Sequence, residues 1–543
     1  MIERLLDGII LCRCRGRVTD KVDMDHIIQF VGKVAPDLRL VIGDDLCQPQ
    51  VLKRVASEEG LRPVVIGACS EIRPRLRIWE DEGGSAISPF ASRVLPLMEE
   101  SDAGYSIDDA TQRAELLLWA QIMRARGFKG VSPQNLKACI DRPAGEISRR
   151  ELTAKLLPQY KIVPSIDTSL CSGGFKCSLC RDACPFGAIT VEDDIVDIAR
   201  DTCSGCGACV AVCPRGAVSY PTFTLDEIDR ELQGLLMCRD VHLGSRIIAF
   251  TDGGFGYAKG GDGRSQFPLN VLPVKLPSLS MASPLLMLRA LAMGAQGLGL
   301  VHSGEGGDSG IEKGLWRGHV EFVQALLDLW GIGGQRVKVF EVAEDNKDTV
   351  QLELARFAAE IAALPPTPFA DDGRDASPIE GLQLHELIEG MEGRLSRHSQ
   401  GTVTAGVVPF GMVELDSGKC TGCGLCALNC PTDAMTVITD DGCDGYSISF
   451  KYDLCVGCGV CVNTCPEGCL GLDKVLALSE LGAGSTVLFE DSFIKCHRCG
   501  RNVAPRSMME RIKARLQDTG GGEGEWTELC PDCRLSVQLK RSR

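Results

Sequence analysis

The sequence predicts a multidomain protein of mixed α/β and α+β class: two small α/β domains, two domains built around cysteine runs, and a C-terminal four-cysteine knuckle. Three observations predict it. Short apolar runs alternate with helix-period segments over residues 8–68 and again over 235–364, the pattern of parallel strands covered by helices. A run of the form Cys-x2-Cys-x2-Cys-x3-Cys-Pro recurs along the chain. The length of 543 residues, at roughly 150 residues per domain, calls for three or four domains.

The cysteine runs are the strongest signal. Cys420, Cys423, Cys426 and Cys430-Pro431 form one run, and Cys455, Cys458, Cys461 and Cys465-Pro466 form the next. This is the bacterial ferredoxin spacing, in which the fourth cysteine ligates the cluster held by the opposite run. Two [4Fe-4S] clusters are expected, one on Cys420, Cys423, Cys426 and Cys465, the other on Cys455, Cys458, Cys461 and Cys430. Neither a disulfide framework nor paired zinc sites require four cysteines at this spacing followed by Pro, twice.

A second such unit spans residues 166–222. Its later run, Cys203, Cys206, Cys209 and Cys213-Pro214, is regular. The earlier run reads Cys171-x5-Cys177-x2-Cys180-x3-Cys184-Pro185, and Gly173 with Gly174 lets the longer loop bulge. The expected sets are Cys171, Cys177, Cys180 and Cys213 for one [4Fe-4S] cluster, and Cys203, Cys206, Cys209 and Cys184 for the other. The alternative for the irregular half is a three-cysteine site with a labile or [3Fe-4S] cluster.

Residues 1–100 open with a small βαβαβ pattern: strands near Gly8–Leu11, Arg39–Ile42 and Pro63–Ile66, with helices at Met24–Val34 and Val51–Ser57. Cys12, Cys14, Cys47 and Cys69 fall at or just past the strand ends, where open α/β sheets place ligands. Spacing alone leaves them equally readable as incidental thiols. The stretches Cys12-Arg13-Cys14, Asp45-Leu46-Cys47 and Gly67-Ala68-Cys69-Ser70 resemble the N-terminal domain of the heterodisulfide reductase A subunit. That resemblance implies a fifth iron-sulfur cluster on these four cysteines. The chain departs from the family in reading Cys-Arg-Cys-Arg-Gly16 for Cys-x-Cys-Gly, and in lacking that subunit's flavin domain.

Residues 101–165 read as a helical connector. It contains an amphipathic helix over Asp109–Arg126 carrying a packed Trp119 and a charged helical stretch over Arg142–Leu156, and residues 81–92 ahead of it, with Gly83-Gly84-Ser85, read as a linker.

The cysteine-poor segment 235–364 predicts strands at Ile247–Phe250, Val271–Val274, Leu298–Val301 and Val337–Val342, with helices at Pro284–Met293, Lys313–Trp330 and Thr349–Ala363. Its Gln266-Phe267-Pro268-Leu269-Asn270-Val271 and Arg289-Ala290-Leu291-Ala292-Met293-Gly294-Ala295-Gln296-Gly297 stretches resemble the delta subunit of methyl-viologen-reducing hydrogenases. That family holds a [2Fe-2S] cluster with cysteines where this chain has Thr251, Ser278 and Ser303. The expectation is therefore a docking or spacing domain without a cluster, with His302 a hydrogen-bonded residue.

No Gly-x-Gly-x-x-Gly occurs, and the glycine-rich run Gly253–Gly263 is not followed directly by a helix, so no flavin or NAD fingerprint is present. Residues 365–405, with Pro365-Pro366 and Asp371-Asp372-Gly373, read as a linker, and 406–480 as the second ferredoxin unit.

The tail, 485–543, pairs Cys496-x2-Cys499 with Cys530-x2-Cys533 around a helix at Ser507–Leu516. Four thiolates so spaced point to one structural zinc, with a rubredoxin-type iron as the alternative. His497 is superfluous beside four thiolates. Cys139, Cys238, Cys443 and Cys469 remain as buried free thiols.

A chain this long with 28 cysteines and no leader-like opening is not a secreted disulfide scaffold, so a reducing, cytoplasmic setting is expected. A net charge of −15 argues against nucleic acid, and no apolar run predicts a membrane span. The composite expectation is an iron-sulfur electron-transfer protein with four or five [4Fe-4S] clusters. No acid–base pair or nucleophile is evident, so catalysis is left to a partner chain, and the resemblances imply that this partner is a hydrogenase, a formate dehydrogenase, a heterodisulfide reductase-like enzyme or another low-potential oxidoreductase. The competing classes are a complete flavin-containing oxidoreductase and a scaffold with structural clusters.

Overall fold

The computed structural model describes residues 6–61, 64–69, 92–98, 104–139, 159–174, 176–192, 194–252, 267–303, 310–342, 347–369, 379, 381–395, 400–439, 445–518 and 528–541. Two compact units result: 1–169 with 180–190 and 197–398, and 399–543 with 170–179 and 191–196. The Arg142–Leu156 stretch, residues 81–91 of the 81–92 linker, the 253–263 glycine run and Cys443 lie outside the described residues.

The first unit begins with a parallel sheet. Strands β1 (Gly8–Cys12), β2 (Arg39–Gly43), β3 (Val64–Ala68) and β4 (Arg93–Pro96) lie in the order β2-β1-β3-β4. The first and third are buried along their whole length, as a run such as Gly8-Ile9-Ile10-Leu11 requires. The fourth strand was not expected from the sequence. Helix α1 (Met24–Val34) begins where the Asp23 side chain accepts hydrogen bonds from the N–H groups of Asp25 and His26, and α2 (Pro49–Glu58) begins with Pro at its first position.

Helix α3 (Ile107–Arg126) is more deeply enclosed than the amphipathic pattern of Asp109–Arg126 implies. It buries Arg113, Glu115 and Arg124 as well as its apolar residues. The cause is a second helix, α4 (Leu225–Leu236), capped by a Thr224–Glu227 box and itself buried with Asp226, Glu227, Asp229 and Glu231. Gly234 on α4 lies so close to α3 that a Cβ there would sit 2.6 Å from Ala120 Cα. The buried charges pair across elements. Arg124 donates to Glu231 (2.5 Å), Arg93 of β4 to Glu227 (2.7 Å), and Arg289 to Asp229 (2.9 Å).

Arg289 belongs to the next layer, the parallel sheet β6-β5-β7-β8. Its strands are β5 (Ile247–Asp252), β6 (Val271–Leu276), β7 (Gly297–His302) and β8 (Val337–Glu341), covered by α5 (Pro284–Ala292), α6 (Gly310–Leu329) and α7 (Lys347–Ala363). Phe340, Phe357, Leu354 and Ile361 fill the side facing α7. Arg113 of α3 donates to the carbonyls of Leu269 (2.7 Å) and Val271 (3.0 Å), which locks the connector to the edge of β6.

The 365–405 stretch read as a linker contains a helix, α8 (Leu384–Glu392), whose Leu387, Ile388 and Met391 are buried. Trp330 Nε1 donates to Glu392, and Arg394 to the carbonyl of Ala292.

The second unit is antiparallel. Strand β9 (Met412–Leu415) pairs with β12 (Leu470–Asp473). A four-stranded sheet runs in the order β10 (Met435–Thr439), β11 (Gly445–Lys451), β13 (Ser485–Lys495) and β14 (Asn502–Pro505). The strand leading into the C-terminal knuckle is thus paired with the 406–480 region, and helix α9 (Arg506–Asp518) follows it.

Candidate metal centres

In the three regular runs each cysteine stretch reads Cys-x-Gly-Cys-Gly-x-Cys. Both glycines take positive φ: 74° and 79° at Gly205 and Gly207, 66° and 73° at Gly422 and Gly424, and 61° and 76° at Gly457 and Gly459. This left-handed pair wraps the backbone so that the second cysteine points inward, and each second glycine opens a short helix, Ala208–Val212, Leu425–Leu428 or Val460–Thr464, that carries the third. The first glycine of a run donates its N–H to the first cysteine's sulfur, at 3.4 Å from Gly205 to Cys203 and from Gly422 to Cys420. Tyr220, buried, donates its hydroxyl to the Gly205 carbonyl at 2.7 Å and so braces one loop.

Within the first unit Cys184 meets the opposite run. A cavity is lined by the sulfur-bearing Cys184, Cys203, Cys206 and Cys209, walled by Pro164, Phe186, Ala188, Ile189 and Ile198. Its donors are four thiols in an apolar shell, which suits a cubane and not an aquated ion. Burial pushes the Cys209 thiol up, and the charges of Cys206 and Cys203 add to it.

In the second unit the same crossing recurs. Cys430 acts electrostatically on Cys455, Cys458 and Cys461, and Cys465 on Cys420. Burial pushes the thiols of Cys426 and Cys455 up to about 12. Sulfurs so placed hold thiolate charge only against a bound cation. Cys171 and Cys177 belong to the second unit, whereas Cys180 and Cys213 belong to the first. Ser172 in that irregular loop donates to the Pro431 carbonyl.

At the N-terminal sheet, Cys12 ends β1, Cys14 follows in the left-handed region (φ 53°), and Cys47 and Cys69 follow β2 and β3. Sulfur separations are 3.0 Å from Cys12 to Cys14 and 3.7 Å from Cys14 to Cys47, and Cys69 hydrogen-bonds with both Cys14 and Cys47. Burial drives the Cys47 thiol up to about 12. The Cys-Arg-Cys-Arg-Gly loop is tied to the neighbouring one, since the Arg15 N–H donates to Asp44 (2.7 Å) and its guanidinium to Asp45 (2.8 Å).

In the tail, Cys496, Cys499, Cys530 and Cys533 place their sulfurs within 4.8 Å of one another. A hydrogen bond from the Cys530 backbone N–H holds the Cys496 thiol down to about 6, so a thiolate is ready at neutral pH. His497 points away, exposed and paired with Glu528, which itself accepts from Lys513.

The central sheet has no thiols at its strand ends. Thr251 is buried, Ser278 caps the 3-10 turn Leu279–Met281 by accepting from the Ser280 N–H, and the Ser303 N–H donates to Asp252 (2.7 Å). His302 is hydrogen-bonded, through Nδ1 to Asp252 at 2.7 Å, and lies against Trp316.

The spacing of the cysteines missed three neighbours. Met281 lies where a Cβ on Gly207 would be, 2.4 Å from its Sδ, so the central domain packs on a cysteine loop of the first ferredoxin unit. Tyr220 and Cys469 are the other two. Among the leftover cysteines Cys238 is buried as expected, and the side chain of Cys139 is outside the described residues.

These sites define an iron-sulfur electron-transfer protein. Residues 163–214 match a 4Fe-4S dicluster domain, 413–436 and 448–471 match a 4Fe-4S binding domain, and 247–365 match the methyl-viologen-reducing hydrogenase delta subunit. Three curated proteins are similar. An uncharacterized ferredoxin of Methanocaldococcus jannaschii is 47% identical over 55 residues, 10% of this chain and 87% of that protein. The vhu iron-sulfur subunit of the F420-non-reducing hydrogenase of the same organism is 32% identical over 127 residues, 22% of this chain and 94% of that protein. One subunit of the ion-translocating oxidoreductase complex of Methanosarcina acetivorans is 44% identical over 46 residues, 8% of this chain, and the match spans 17% of that protein's length. The chain belongs to the 4Fe-4S ferredoxins and, in its central domain, to the methyl-viologen-reducing hydrogenase delta-subunit family. No described helix is long and apolar enough to cross a membrane.

Proposed function

We propose that the chain is the electron-relay subunit of a larger oxidoreductase assembly and contains no catalytic centre of its own. It carries four [4Fe-4S] clusters on the crossed cysteine sets given above, a fifth on Cys12, Cys14, Cys47 and Cys69, and one structural zinc on Cys496, Cys499, Cys530 and Cys533. The observation that carries this reading is the cavity in which Cys184 joins Cys203, Cys206 and Cys209, because a thiol from the opposite run belongs there only if both runs share clusters. The N-terminal assignment rests on the convergence of its cysteines and on the resemblance to the heterodisulfide reductase A subunit.

The central domain acts as a docking element. Its Met281 covers the Gly207 loop beside one cluster set, and its strand ends offer Thr251, Ser278 and Ser303 in place of thiolates. Electrons therefore enter and leave through the ferredoxin units. The partner is a low-potential oxidoreductase, with a hydrogenase favoured by the delta-subunit relative. The functional segments are 1–100, 166–222, 235–364, 406–480 and 485–543. The thiolates these sites need favour a reducing, cytoplasmic setting.

Metal analysis of anaerobically prepared protein tests the reading. About 16 to 20 iron per chain and about one zinc are expected. Iron at about 8 to 12, two cubanes fewer than expected, would remove one ferredoxin unit from the assignment, and bound flavin would favour a complete flavoenzyme instead. The enzyme that co-purifies identifies the partner.

A further inference from the structure

In three of the four runs the residue four positions after the Cys-Pro cysteine sits against that cysteine's sulfur. Three of the four runs have alanine there, at Ala188, Ala217 and Ala434. The N–H groups of Ala188 and Ala217 donate to Cys184 and Cys213 at 3.3 Å, so this position faces the ligand by construction of the loop. The fourth run has Cys469 instead. Its backbone N–H keeps the same bond, to Cys465. Its side chain adds a sulfur 3.4 Å from Cys465 Sγ and in hydrogen-bond contact with Cys420.

Cys420 and Cys465 are two of the four residues assigned above to a single cluster. Cys469 is buried between them, and its carbonyl accepts from the Asp416 N–H at 2.8 Å, which holds it in place at the start of β12. A cubane iron takes one protein thiolate, so the test of a substitute is reach, and a sulfur 3.4 Å from Cys465 Sγ would need only a small side-chain rotation to stand where Cys465 Sγ does.

We propose that Cys469 is a reserve ligand for the cluster held by Cys420, Cys423, Cys426 and Cys465, and that it replaces Cys465 when that thiolate is withdrawn. In the exchange the iron–Sγ bond to Cys465 breaks, the bond to Cys469 forms, and the Cys469 proton passes to the departing thiolate. No electron is gained or lost, so no oxidant or reductant is needed. Of the four cysteine runs in the two ferredoxin units, only this one has a fifth thiol at that position.

The inference rests on the crossed ligand sets, and the test separates the two. Full-length Cys465→Ala, Cys469→Ala, the double variant and Cys430→Ala are prepared anaerobically. Iron per chain and the EPR signal after dithionite reduction are measured, with circular dichroism checking that each is folded. Cys465→Ala and Cys469→Ala should each keep wild-type iron, whereas the double variant should lose up to about four iron. Cys430→Ala, whose loop has Ala434 and no spare thiol, should lose iron alone. Equal losses in Cys465→Ala and the double variant would overturn the reserve role, and so would iron loss in Cys469→Ala. Full iron in Cys430→Ala would instead overturn the crossed assignment itself. If Cys465→Ala fails to fold, Cys420→Ala, whose sulfur Cys469 also contacts, is the replacement, with the same expected retention and the same overturning result.

Discussion

At the residue scale, burial decides what each polar group can do. His319 on α6 is almost wholly enclosed, and burial lowers its imidazole to about 4 from an ordinary value near 6.5. Between those values the unfolded chain takes up a proton that the folded chain refuses. The stabilising effect of the neutral ring is therefore complete above about pH 6.5 and is lost as pH falls toward 4, by up to about 3 kcal/mol. His319→Gln should flatten this dependence, seen as a smaller drop in thermal midpoint between pH 7.5 and 5.5 than the wild type shows. An unchanged drop would assign the acid sensitivity to other groups.

Arg289 and Asp229 show the same rule for charge, because both are buried and each is the other's partner. Arg289→Met should cost about 3–5 kcal/mol by leaving the buried carboxylate without its counter-charge and with only Gln233 donating to it, while the double replacement Arg289→Met/Asp229→Leu should recover most of it. Denaturant titrations of the three proteins check this.

Among elements, the C-terminal knuckle is held by β13, β14 and α9. The loops holding Cys496 and Cys530 are pinned by local bonds, such as the Gly500 N–H to the Cys496 carbonyl at 2.8 Å and the His497 N–H to the Glu528 carbonyl at 3.2 Å. None of these bonds involves a ferredoxin cysteine. Replacing Cys496 and Cys530 together with Ser should therefore remove the zinc and leave most of the iron, measured by elemental analysis. Loss of all iron would show that the knuckle and the ferredoxin unit stand or fall together. That outcome has a structural route, because Gly422 of a cysteine loop packs against Phe489 of β13 and Pro505 of β14.

For the whole molecule, the central domain is bound into the first unit by buried charges. Excising 247–365 removes Arg289 from Asp229 and takes the Leu269 and Val271 carbonyls from Arg113. The N-terminal unit should then lose its cooperative thermal transition, while the 413–471 ferredoxin stays reducible by dithionite. Retention of both would show that α3 and α4 stand without the sheet beneath them.

Sequence alone determined the cysteine runs, the strands of the two parallel sheets apart from β4, and most of their helices. Ligand spacing is set by a few consecutive bonds, and strand or helix periodicity repeats within one element. Even the absence of thiols at 251, 278 and 303 is a matter of reading positions. Tertiary structure alone decided the rest. It placed Cys469 against Cys420 and Cys465, paired three buried carboxylates of α4 with arginines of α3, β4 and α5, turned 384–392 from linker into helix, and paired β13 with β11. Each of these depends on which distant segments approach one another. An isolated carboxylate or thiol reads the same in sequence whether it meets water, an arginine or another sulfur.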